Sequence, residues 1–250
     1  MLRLTKKNYH SEEANRAYWS ASFVKAMLHC PAAAMAMEPE EPSTALLVGS
    51  YVDAYFEGTL DTFRADHPEL FKRDGTLKAD YLQAEEMIER ARSDKVFIEY
   101  MHGRKQVIKT GTIRGLPFKI KMDVYKKGKR IVDLKTVRNT EPVYRPGEGW
   151  VTFADAWDWP LQLAIYQAVE GNRLPCFLAV ITKENPPDLA LIEVSQERLD
   201  AEMQRLLDKL PYLDAIRSGI VEPPRCGRCA YCRRTKQLSG PVSLAEYEKE

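Results

Sequence analysis

Residues 118–137, FKIKMDVYKKGKRIVDLKTV, constrain this chain more than any other stretch. Two strand-like apolar runs flank the basic turn Lys126, Lys127, Gly128, Lys129 and Arg130, the pattern of a β-hairpin. Each run carries an aspartate, Asp123 in the first and Asp133 in the second. A carboxylate inside an apolar strand is costly unless it is paired or used. Lys135 stands two residues beyond Asp133, and strand side chains repeat with period two, so the lysine shares the aspartate's face.

The flanking sequence supplies elements to pack on such a hairpin. Residues 1–19 are polar and read as an irregular lead-in. Ser20 or Ser22 can cap a helix through Phe23, Val24, Met27 and Leu28. The run 38–43, EPEEPS, reads as a loop, and a second helix follows from Ser43 to near Gly58. Residues 60–80 read as a polar connection and 78–92 as a charged helix. Three consecutive strands follow at 105–113, 116–124 and 130–136, then a loop at 139–153. Pro160 opens a helix that stops at Gly171, strands follow at 175–182 and 189–194, and Ser195 caps a long helix to about Ser218. The order predicts an α/β fold, a mixed central sheet flanked by helices. Residues 1–250 are expected to form a single domain, with a Cys-rich segment at about 222–236.

Lys, Arg, Asp and Glu make up 29% of the chain and nearly cancel, leaving +1, so attraction to nucleic acid must come from local basic stretches. These are 126–130 and 233–236, which a solvated turn and a solvated tail explain equally well. No run of 18 apolar residues exists to span a membrane as a helix, and residues 1–13 lack the apolar core of a signal peptide. A cytoplasmic protein is the expectation. In a reducing compartment the five cysteines are poor disulfide candidates.

Two carboxylates on adjacent antiparallel strands can converge on one divalent ion. Mg²⁺ prefers such oxygen ligands, and the backbone carbonyl of Leu134 between the acids could add another. Asp-x-Lys alone is weak evidence, because an acid two residues before a base is expected roughly five times by chance in this composition. The second helix spaces Gly49, Asp53 and Glu57 four apart on one face, where the acids could join a metal site or form a solvated edge. Gln162 and Tyr166 are also four apart, in an otherwise apolar helix, and need partners if buried.

Taken together, GSYVDAYFEG, KMDV, VDLK and QLAIY resemble the RecE/RecB-type exonuclease branch of the PD-(D/E)XK nuclease superfamily, phage-type exodeoxyribonuclease VIII most closely. The resemblance covers about residues 20–235. It implies a restriction-endonuclease-like core and a Mg²⁺- or Mn²⁺-dependent exonuclease acting on linear DNA. Asp53, Asp123, Asp133 and the Leu134 carbonyl would be the metal ligands, Glu57 would act through water, and Lys135 would position the attacking water. Gln162 and Tyr166 would orient the lysine or the DNA. It further implies a bacterial or phage recombination role beside a single-strand annealing recombinase, and a homo-oligomer. The family's usual histidine is Asp53 here. That substitution either makes an all-oxygen site suited to Mg²⁺ or Mn²⁺, or marks a catalytically inactive DNA-binding relative.

Cys226, Cys229 and Cys232 are spaced by three and can wrap three corners of a metal ion or cluster. Cys30 is the candidate fourth ligand. Its context, SASFVKAMLHCP, resembles the RecB-like iron–sulfur nucleases, which implies a [4Fe–4S] cluster, although the spacing of the last two cysteines is shorter here. Zinc is the alternative, held by four cysteines or by three and His29. Cys176, in PCFLAV, reads as core. His10, His67 and His102 read as surface residues. The aromatic loop 150–159 could stack on bases or cover the core.

Overall fold

The computed structural model describes residues 2–37, 43–145, 147–238, 240–241 and 243–244. The expected loop at 38–43 lies outside them except for Ser43. The chain forms two compact units, Met1–Ser22 with Glu40–Lys209, and Phe23–Pro39 with Leu210–Glu250.

The larger unit is built on a five-stranded sheet. Helix α1 (Glu12–Ala17) is followed by α2 (Ala21–His29), α3 (Pro31–Ala36) and α4 (Thr44–Glu57). Next come α5 (Leu60–Asp66), a 3₁₀ turn (Pro68–Leu70), α6 (Ala79–Ser93) and α7 (Lys95–Met101). Strands β1 (Arg104–Ile113), β2 (Leu116–Lys126) and β3 (Arg130–Val137) form the meander expected from the sequence. A small hairpin of β4 (Val143–Arg145) and β5 (Gly149–Val151) leads to α8 (Phe153–Ala156) and α9 (Trp159–Glu170). Strands β6 (Cys176–Thr182) and β7 (Leu189–Val194), then α10 (Gln196–Arg217) and α11 (Ala230–Arg234), complete the elements.

Strand order is β1-β2-β3-β6-β7. Among the five strands of the sheet, β3 and β6 pair in parallel, which requires a crossover, and α9 lies in that connection. Helices α4, α6 and α7 share a core with Val124, Val132, Leu134, Ala179 and Ile181 from one face of the sheet. Adjacent strand residues face the other way. That second face meets α9, where Tyr125 Oη donates to Glu170 Oε1 at 2.7 Å and Gln162 Nε2 donates to Asp133 Oδ1 at 2.8 Å.

Local sequence chemistry sets the two helices that flank the hairpin. Ser43 caps α4 by accepting from the Leu46 N–H, and Gly58 ends it in the left-handed conformation at φ 78°. Pro160 sits in the first turn of α9, and Gly171 ends that helix at φ 90°. Nearly every residue of α9 is buried, as its continuous apolar run requires.

Four regions differ from the sequence expectation. Residues 1–19 are not irregular throughout: α1 forms there, Trp19 bridges to Phe118, and Tyr9, Tyr18 and Trp19 are buried. Aromatic burial outweighed the polar composition of that segment. Within 60–80, α5 and the 3₁₀ turn replace a plain connection, seating Leu70 in the core. Asp94 caps the unexpected α7 by accepting from the Phe97 N–H at 2.9 Å. The loop 139–153 contains the β4–β5 hairpin, with Tyr144 and Trp150 in edge contact and both exposed.

The smaller unit holds α3, the C-terminal part of α10, and α11. Pro224 O accepts from the Ala32 N–H at 3.1 Å, and the Arg217 guanidinium lies 5.2 Å from the Phe23 ring centre. No helix among the described residues is long and apolar enough to cross a membrane.

Candidate active site and cysteine site

The β2–β3 ladder is short. It pairs Lys126 with Arg130, Tyr125 with Ile131 and Val124 with Val132, then stops. The next rung would join Asp123 to Asp133. The two aspartates therefore sit where the strands fork, and no backbone pairing closes the gap. In place of that rung, the Leu134 N–H donates to Asp123 Oδ2 at 3.0 Å.

Other elements fill the fork. Asp133 is 1% exposed. Its Oδ1 accepts from Gln162 Nε2 at 2.8 Å, and its Oδ2 lies 2.5 Å from Lys135 Nζ. The ammonium also stands 5.7 Å from the Trp159 ring centre. Gln162 Nε2 donates in addition to Tyr166 Oη at 3.2 Å. The Gln–Tyr pair of α9 thus anchors the aspartate of the Asp-x-Lys motif. From the other face, α4 approaches β3 at Gly49, where an added Cβ would lie 3.1 Å from Thr136 Oγ1. That close approach explains the glycine and brings Asp53, one turn on, into the field of the other site groups.

The electrostatics are those of an acidic cluster short of positive charge. Burial pushes the Asp53 carboxyl up from 3.8 to about 7, with Lys135 opposing and Asp133 and Glu57 reinforcing the shift. Asp123 is raised well above the usual range by burial, then by Asp133 and Asp53. Glu57 is raised by burial, against Lys121, Lys6 and Lys105. Burial lowers the Lys135 ammonium, but Asp133 and Asp123 overcome this and hold it above its ordinary value. Lys135 is therefore a cation, not a base. Burial, then Asp133 and Asp123, raise the Tyr166 phenol.

The carboxylates suit an oxygen-preferring divalent ion in kind and in charge deficit. Among the described residues these acids do not form a preformed cluster of metal-ligand spacing. Asp133 is occupied by Lys135, and the like charges of Asp53, Asp123 and Asp133 repel. Such an ion would be held by these three acids. It would supply the Lewis acidity that polarises a phosphate oxygen and acidifies water.

Sequence reading missed several neighbours of the site. Gln106 on β1 donates through Nε2 to Asp123 Oδ1 at 3.2 Å. Its signal was countable, since the tight turn at Arg114 and Gly115 sets residue 106 opposite residue 123. Lys105 and Lys121 bear on Glu57 from adjacent strands. Lys119 is buried and donates to Tyr9 O and Asn15 Oδ1, at 2.5 and 2.7 Å, tying down the N-terminal segment. His10, exposed as expected, lies 3.1 Å from Lys121 Nζ.

A second constellation lies in the smaller unit. The Sγ atoms of Cys30, Cys226, Cys229 and Cys232 all lie within 4.8 Å of one another. Cys30 is 3.5 Å from Cys232, and Cys226 is 3.9 Å from Cys232. Backbone N–H groups of Cys226, Cys229 and Cys232 point at the sulfurs of Cys30, Cys226 and Cys229, at 3.5, 3.3 and 3.4 Å. Such donors stabilise thiolates, and the four sulfurs together could hold a metal ion. The Cys226 thiol is lowered to about 6: burial opposes the shift, but the N–H groups of Cys229 and Arg228 prevail. Cys176 stands apart in the core, and burial raises its thiol to about 12.

Residues 20–235 match the model of a family described as "PDDEXK-like domain of unknown function (DUF3799)". The chain belongs to this family. It is thereby a member of the PD-(D/E)XK nuclease superfamily, with a restriction-endonuclease-like fold. A crystal structure described as "Putative exonuclease", from Eubacterium rectale, is 39% identical over 99% of this chain and 98% of its own, with a TM-score of 0.92. The solved structure of SSO0001 aligns over 84% of this chain and 91% of its own at 17% identity and a TM-score of 0.32, too low to bear on the fold. No curated protein matches the chain. Family and structural likeness together support a nuclease.

Proposed function

We propose that this PD-(D/E)XK protein is a Mg²⁺- or Mn²⁺-dependent exonuclease that hydrolyses phosphodiester bonds of linear DNA. The observation that carries the reading is the fork between β2 and β3. There Asp123 and Asp133 meet Lys135 and Gln162, and Asp53 acts on them from α4. Hydrolysis adds a water oxygen to phosphorus, breaks a P–O bond to the sugar and builds negative charge on the phosphoryl group. Lys135, held as an ammonium beside Asp133, orients that water and offsets the charge. Gln162 and Tyr166 keep Asp133 in register. Asp53, Asp123, Asp133 and the Leu134 carbonyl form the cation's ligand set, with Glu57 acting through water. Exonuclease rather than endonuclease action rests on the E. rectale likeness and on the RecE/RecB resemblance. The same resemblance favours a recombination role beside a single-strand annealing partner, in a homo-oligomer. The test uses end-labelled linear and closed circular duplexes with Mg²⁺ or with EDTA. Mg²⁺-dependent loss of the linear DNA alone is expected. Cleavage of the circle would replace the exonuclease with an endonuclease. Binding without cleavage in any divalent ion would establish the inactive relative, which the aspartate at position 53 motivates.

For the cysteine site, sulfur spacing supports zinc over the [4Fe–4S] cluster that the family resemblance implies. Tetrahedral zinc with Zn–S near 2.3 Å sets its sulfurs about 3.8 Å apart. The 3.5 and 3.9 Å separations here match that edge. A cubane holds its thiolates on four separate irons and so spreads them wider. Elemental analysis of aerobically purified protein is expected to give one zinc per chain and no visible absorbance. A brown, iron-containing protein would reverse the assignment.

A further inference from the structure

Gln106 combines three features that ordinary packing does not explain. It lies in the interior of β1 yet has a backbone φ of 52°, a left-handed conformation that glutamine rarely adopts in a strand. Its side chain is 8% exposed, and its Oε1 has no hydrogen-bond donor. Its Nε2 donates to Asp123 Oδ1 at 3.2 Å. The register explains the meeting: Lys105 pairs with Val124 and Val107 with Met122, so Gln106 stands across from Asp123. Strain and an unmet buried acceptor both destabilise the fold, and both fall beside one carboxylate of the proposed site.

That carboxylate is held from two sides. The Leu134 N–H of β3 fixes Oδ2, and the Gln106 amide of β1 fixes Oδ1. One donor on each oxygen sets the carboxylate plane and leaves a lone pair on each for a cation. The amide is set with Nε2 toward Oδ1, which places a donor where the opposite orientation would place a second acceptor. Oε1 shares a carbon with that Nε2 and is left within an amide's width of the site, facing no protein donor. A water or a substrate hydroxyl there would satisfy it.

We propose that Gln106 is a positioning residue of the site: it aims the Asp123 carboxylate and offers a buried acceptor to a water in the fork. This rests on the nuclease reading above. The test uses the full chain with Gln106→Met, which keeps length and removes the amide, and Gln106→Asn, which cannot reach Asp123 but tolerates a left-handed backbone. Mn²⁺ binding is measured by calorimetry, melting temperature by circular dichroism, and cleavage on linear DNA. Loss of a hydrogen-bonding partner behind a metal ligand typically costs about 10–100-fold in affinity. Both variants are expected to bind Mn²⁺ that much more weakly and to cleave correspondingly slowly, while Gln106→Asn melts at or above the wild-type temperature. Mn²⁺ affinity within twofold of wild type in both variants overturns the proposal, whatever the melting temperature. If Gln106→Met does not fold, Gln106→Asn decides alone. Asp133→Ala separates the two levels: wild-type Mn²⁺ binding and cleavage in that variant would reject the nuclease reading itself. Its inactivity alongside wild-type-like Gln106 variants would reject only the positioning role.

Discussion

The fork and the cysteine cup both gather side chains of metal-ligand type, and they are built in different ways. The four thiols lie within 4.8 Å of one another and receive backbone N–H groups, a closed set of ligand atoms. The carboxylates form no such cluster among the described residues, one is bound to a lysine, and burial, reinforced by like charge, raises the Asp53 and Asp123 carboxyls. A closed cage suits a structural ion that never leaves. An open, charge-deficient fork suits an ion that must also meet a substrate. The roles we propose follow that contrast: the cysteine set stabilises its unit and the fork does chemistry.

The largest effect that could break this contrast is expected at the cage. Cys229→Ser should abolish stoichiometric zinc and lower the melting transition by about 10 °C, corresponding to roughly 3–5 kcal/mol. Unchanged zinc content and melting would remove the structural role. At the fork, Asp53→His should weaken Mg²⁺-supported cleavage about tenfold while Mn²⁺-supported cleavage is retained, because imidazole favours the softer ion. Equal rates in both ions would show that Asp53 is not a ligand.

A smaller effect concerns pH. The Asp53 carboxyl is raised from 3.8 to about 7 and Asp123 is raised well above its ordinary value, so each keeps its proton over a pH window in which the unfolded chain would have lost it. Their contribution to stability therefore falls as pH rises through that window. A cation displaces those protons, so the melting shift produced by Mg²⁺ should be larger at pH 8 than at pH 6. The opposite order would contradict the raised carboxyls. The smallest expected change is Tyr166→Phe. It removes the hydroxyl that accepts from Gln162 and should slow cleavage about three- to tenfold, the scale of a lost neutral hydrogen bond of about 1 kcal/mol. No change would leave Tyr166 with a packing role only.

The hairpin, α4, α9 and the β1–β2–β3 meander were legible because periodicity, caps and turn residues agree there; the parallel pairing of β6 with β3 was not. Gly49, Asp53, Asp133, Lys135 and Gln162 were legible for the same reason, since helix and strand spacing place them on known faces. Tertiary burial hid the rest. Tyr9, Tyr18 and Trp19 order a polar N-terminal segment only because Phe118 and Lys119 are there to receive it. The fork itself was not visible in the sequence, which offers an unbroken ladder past Val124 and Val132. Gln106 could be counted opposite Asp123, but no strand pattern announces its strained backbone. The cysteine set was readable from spacing, but the choice between one ion and a cluster depends on sulfur separations.

The most direct test of the central claim is cleavage of end-labelled linear DNA in Mg²⁺ by wild type, Asp133→Asn and Lys135→Ala, with folding checked by circular dichroism. The fork as a catalytic site predicts Mg²⁺-dependent digestion by wild type and a loss on the order of 1000-fold in each folded variant. Digestion by either variant at the wild-type rate would contradict it.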